Sequence, residues 1–131
     1  MAPSLGSAFF LAGLLALAMG GCAAPVQMQP ASLASASAGE PRLSIGAGVE
    51  ARSSAGFGQT LPAGTVIAHI GNIAEGEVWR PLNFVVTVEG RHIHEAYLVI
   101  KAGQWVGFYL PVERMFSPLR SATVLKLEQV S

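Results

Sequence analysis

Between Arg42 and Val130, glycine and proline interrupt the chain so often that no window keeps the apolar period of an amphipathic helix. The runs between these breaks are rich in β-branched and aromatic residues. That pattern restricts the segment to short strands joined by turns. Strands are predicted over Thr65 to Gly71, Gly76 to Pro81, Asn83 to Gly90, Arg91 to Gly103, Gln104 to Pro111 and Ser121 to Val130. Arg42 to Gly64 is Gly-rich and weakly patterned, and predicts one or two marginal strands. Val112 to Phe116 has room for a turn of helix at most, because Pro111 and Pro118 bound it. About six short antiparallel strands in this length imply an all-β domain, a small barrel or sandwich, able to bury a core without disulfide staples.

Two hairpins can be set in register from turn residues. A turn at Glu89-Gly90 places Val88 opposite Arg91, Val86 opposite Ile93 and Val85 opposite His94; one at Ala102-Gly103 places Ile100 opposite Trp105, Val99 opposite Val106 and Tyr97 opposite Phe108. Strict alternation then gives a predicted core face of Phe84, Val86, Val88, Ile93, Tyr97, Val99, Val106, Phe108 and Leu110. The opposite face holds Val85, Thr87, His92, His94, Ala96, Leu98, Ile100, Trp105, Gly107 and Tyr109. That second face is half apolar, so another strand or a partner should lie on it. The run "VLKLEQV" (Val124 to Val130) alternates cleanly and should close the sheet at an edge.

Charge divides the chain sharply. Residues 1–39 carry no charged side chain, whereas 40–131 carry all eight basic and all eight acidic residues, the latter all Glu. A net charge of zero offers no electrostatic footprint for nucleic acid or an anionic membrane. The apolar run from Leu5 to Met19 is shorter than the roughly twenty residues of a spanning helix and fits the core of an export signal. Small residues follow it, then the only cysteine, Cys22. With Met19, Gly20, Gly21 and Cys22 in this order, the segment resembles a bacterial lipoprotein signal. The resemblance implies cleavage before Cys22, a diacylglyceryl group on its thiol, and acylation of the new amino terminus. With Ala23 and Ala24 following instead of Asp, it further implies transfer to the outer membrane, facing the periplasm. The residues leave a rival open, an ordinary secretory cleavage at Ala16-Leu17-Ala18.

These features divide the chain into a signal over 1–21, a lipidated Cys22 with a flexible tether over 22–41, and a β domain over 42–131. The tether is rich in Ala, Ser, Pro and Gln and carries one charge. As a flexible coil it would hold the domain roughly 20 to 25 Å from the bilayer.

Candidate chemistry is sparse. His92 and His94 are two apart on a predicted strand and would project to one side, where His69 or Glu77 could complete a metal site. No Asp is present to orient a histidine, and no Ser sits in a nucleophile turn. Glu75 and Glu77 read as a solvated loop, and "GFGQ" (Gly56 to Gln59) lacks the Lys of a phosphate cradle. Trp105 and Tyr109, if open beside Gly107, would make a flat patch for a protein or glycan partner, extended by Phe116. The sequence thus predicts a lipid-anchored, non-enzymatic envelope domain that binds a protein partner and needs no cofactor. The alternative is a metal- or small-ligand-binding module built on His92 and His94.

Overall fold

The computed structural model describes residues 26–36 and 41–130. In chain order its strands are β1 (Gln29–Pro30), β2 (Ala34–Ser35), β3 (Arg42–Ile45), β4 (Val49–Arg52), β5 (Gly58–Leu61), β6 (Val66–Ile73), β7 (Gly76–Pro81), β8 (Val86–Glu89), β9 (Ile93–Lys101), β10 (Gln104–Leu110), β11 (Met115–Val124) and β12 (Leu127–Gln129). All their ladders are antiparallel. The main sheet runs β1-β11-β10-β9-β7-β6-β3-β12, with β2 also on β6 and β8 also on β9; β4 and β5 form a separate hairpin. The sheet does not close into a barrel. Instead the β4–β5 hairpin contributes to the core on one face and the N-terminal segment packs on the other, a sandwich-like, all-β arrangement. Among the described residues no helix is long and apolar enough to cross a membrane.

Strands form in each predicted run, except that Ser121 to Val130 is divided between the end of β11 and β12, and in the two predicted hairpins an irregularity each decides which side chains meet. The first is a bulge. Trp105 pairs with Ile100 as the turn predicts, yet Gly107 then pairs with Val99, leaving Val106 without an opposite residue. This extra residue brings Phe108 and Leu110 to the same side as Trp105, and the Trp105 and Phe108 rings meet edge-on with centroids 5.4 Å apart. A side chain at position 107 could not be housed, since its Cβ would lie 2.5 Å from the Ser117 carbonyl oxygen.

The second irregularity is the β8–β9 connection. It is a three-residue loop, Gly90 to His92, rather than a two-residue turn, so Val88 pairs with His94 and Val86 with Ala96. The register moves by three residues, an odd number, so Val86 and Val88 stay in the core but share it with Ala96, Leu98 and Ile100 of β9 instead of Ile93, Tyr97 and Val99. The predicted core face is therefore corrected. The principal core collects Val86, Val88, Ala96, Leu98, Ile100, Trp105, Phe108 and Leu110, while Phe84 and Ile93 are exposed. By contrast the β9–β10 turn is as predicted: Ala102 and Gly103 both have positive φ, 53° and 76°, the sign pattern of a type I′ turn that matches strand twist. Pro111 to Arg114 form a turn closed by the Arg114 N–H donating to the Leu110 carbonyl (2.8 Å), and Met115 already begins β11.

The second face of the sheet carries Ile73, Val78, Val99, Tyr109 and Phe116. What lies on it is the segment expected to be a tether. Gln29 and Pro30 pair with Phe116 and Met115 at one edge of the sheet, Ala34 and Ser35 pair with Asn72 and Gly71 on β6, and Ala31 and Leu33 pack on the apolar residues between. Val26 is itself buried in the principal core. Residues 26–36, expected to belong to a tether, are thus packed into the domain. Two glycines make room for it: a Cβ at Gly71 would lie 2.3 Å from the Ala34 carbonyl oxygen, and one at Gly90 would lie 2.3 Å from Val26 Cγ2.

Candidate functional site

The exposed aromatic patch predicted from Trp105, Tyr109 and Phe116 is not formed. Trp105 is 0% exposed, Tyr109 4% and Phe116 6%. Trp105 lies in the principal core, its Nε1–H donating to the Gly107 carbonyl at 3.0 Å, and Tyr109 and Phe116 lie under the N-terminal segment. All three hold the fold together. The expectation failed because the cover for the half-apolar face comes from the chain itself.

Of the histidines, His92 and His94 remain neighbours, but no third ligand joins them among the described residues. His92 is in the β8–β9 loop rather than on a strand, and its ring meets that of His94 edge-on at 6.4 Å. His94 Nδ1 lies 2.8 Å from Glu113 Oε1, a contact that fastens the Pro111 to Arg114 turn to the start of β9. His69 stands on β6 opposite Trp79, with rings 5.1 Å apart, and its Nε2 is 3.0 Å from Asn72 Oδ1. Among the described residues no three of His, Cys, Asp and Glu gather as metal ligands. Glu77 accepts a hydrogen bond from Trp79 Nε1, and Glu75 accepts one from Gln29 Nε2 at 2.6 Å, which helps bind the N-terminal segment. Cys22 and the Met19 to Cys22 motif lie outside the described residues.

A different surface is open. Where β7 ends and β8 begins, both on the same side of β9, the connecting residues leave a groove of about 270 Å³. Leu82, Phe84 and Val85 line it together with Tyr97 and the oppositely charged Arg80 and Glu95. Val85 is 75% exposed, and Leu82 and Phe84 are exposed as well. Three apolar residues so close together in sequence and open to water are unusual outside binding surfaces.

The segment is held rigidly. Asn83 Oδ1 accepts from the Val66 N–H (2.8 Å), Asn83 Nδ2 donates to the Gly64 carbonyl (3.0 Å), and the Leu82 N–H donates to the Val66 carbonyl (2.8 Å). Next to the groove, β8 is paired with β9 along one edge; among the described residues no strand pairs with its other edge. An unpaired edge beside an apolar groove can take an extended segment, with main-chain bonds giving affinity and the groove seating side chains. The sequence assigned Phe84 to the core, and the signal available for the groove was the polar Asn83 inside an otherwise apolar run. No family model, curated protein or solved structure matches the chain.

Proposed function

We propose that this protein is a lipid-anchored envelope lipoprotein, acylated at Cys22 and facing the periplasm from the outer membrane. Its β domain works by binding rather than catalysis. The site is the groove of Leu82, Phe84 and Val85 with the free edge of β8, and the ligand is an extended, apolar segment of another envelope protein. The observation that carries this reading is the Asn83 clamp, which holds the exposed Phe84 and Val85 beside the edge of β8 that no strand pairs among the described residues. Preformed sites bind without the cost of ordering.

Site-specific photocrosslinking in cells tests it. A probe replacing Val85 should give one adduct of defined mass, absent when the probe replaces the equally exposed Val124. Identical adduct patterns at both positions, or none at Val85, would overturn the assignment. For the anchor, mass spectrometry of the mature amino terminus should show an acylated Cys22.

A further inference from the structure

We infer that the end of the domain around Val26, with Phe57 and Ile93 at its surface, rests directly on the lipid bilayer; this builds on the acylation of Cys22 proposed above. The reason is the length of the leash. Val26 is buried in the domain, and only three residues, Ala23, Ala24 and Pro25, separate it in sequence from Cys22. Four fully extended steps span at most about 14 Å, whatever their conformation. The acyl-bearing cysteine sits in the headgroup layer, and the domain therefore cannot stand clear of it.

The surroundings of Val26 suit that contact. Gly90 packs against Val26, and its loop leads to Ile93, which is 70% exposed. On the other side the Gln27 N–H donates to Ser54 Oγ (3.1 Å), in the tight turn that ends at Phe57, 42% exposed. Both present large apolar surface to solvent. The same neighbourhood gathers three of the eight basic residues: Arg91 follows Gly90, Arg52 Nη1 donates to the Gly56 carbonyl, and the Arg120 guanidinium adjoins Gly56. Glu89 adjoins Gly90, and Glu113 is held against His94, next to Ile93. Apolar side chains among arginines fit the interface of a bilayer containing anionic phospholipid.

The acylated full-length protein in phosphatidylglycerol-containing vesicles provides the test. Because Cys22 would carry the lipid, a single introduced cysteine can be labelled selectively with an environment-sensitive fluorophore: Phe57→Cys, Ile93→Cys, or Lys101→Cys at the far end of β9. Eight strand rises, about 26 Å, separate Ile93 from Lys101. Quencher-bearing lipids should quench the labels at 57 and 93 several-fold more than the label at 101. Protein that floats with the vesicles but shows equal quenching at the three positions refutes the apposition and leaves the anchor intact. Labelling of the unsubstituted chain, together with failure to float, reveals a free Cys22 thiol and removes the anchor and the apposition together.

Discussion

Replacing Gly71 by alanine asks whether residues 26–36 belong to the domain, and the answer lies in the sign of the effect. The added Cβ would lie 2.3 Å from the Ala34 carbonyl oxygen, 3.1 Å from the Ala34 carbonyl carbon and 2.9 Å from Leu33 Cδ1. A carbon resting against a carbonyl oxygen needs about 3.3 Å, so β2 must retreat from β6 by about 1 Å. That movement strains the pairing of Ala34 with Asn72 and of Ser35 with Gly71, and the bond from the Ala36 N–H to the Ile70 carbonyl, now 2.9 Å. Overpacking of this kind costs about 1–3 kcal/mol. Against it, alanine restricts the unfolded chain and returns about 0.4–1 kcal/mol. The expected net loss is about 1–2 kcal/mol, or about 4–8 °C in Tm per kcal/mol for a domain of this size. Were the segment a free tether, only the unfolded-chain term would act and Tm would rise. Thermal unfolding, with hydrogen exchange followed at the Ala36 amide, distinguishes the cases. An unchanged or higher Tm with an equally protected Ala36 would refute the reasoning.

Trp105→Ala should cost about 3–5 kcal/mol, because it empties the centre of the principal core; a shift in urea midpoint worth less than about 1 kcal/mol would return Trp105 to the surface. Ala102→Gly should raise stability by about 0.5–1 kcal/mol, since a left-handed alanine costs about 1–2 kcal/mol and glycine's greater unfolded-state freedom offsets part of the gain. Its thermal midpoint is the measurement, and a decrease would contradict the strain at φ 53°. Glu113→Ala should lose about 1 kcal/mol with the His94 contact, and the Pro111 to Arg114 turn should become more open to proteolysis at Arg114. Cys22→Ser should move the protein from the membrane to the soluble fraction of a cell lysate; persistence in the membrane would argue for another anchor.

Strand identity was legible in the sequence because it depends on local chemistry. The runs at Gly76 to Pro81 and Gln104 to Leu110 are rich in residues that suit a pleated sheet, and the breaks between them stop helices. The Ala102-Gly103 turn was legible for the same reason, being a two-residue connection whose geometry sets its own register. The division of side chains between faces was not. One extra residue at Val106 and one longer loop at Gly90 to His92 each shift the alternation by an odd step, and a period of two has no memory across such a step. Gly107 inside a strand pattern was the signal for the first; the second had none.

The N-terminal segment is the clearest case of a decision made by tertiary structure. Its small and polar residues have no periodicity of their own, and taken alone they describe a coil. What orders them is a sheet face already assembled from Val78, Val99, Tyr109 and Phe116, which must be covered, and glycines at 71 and 90 that leave the space. The sequence by itself determined that this chain makes short antiparallel strands and places its lone thiol behind an apolar run. Which surface is closed, which stays open, and that residues 26–36 pack on the sheet follow from contacts between residues far apart in the chain, where local preference exerts no force.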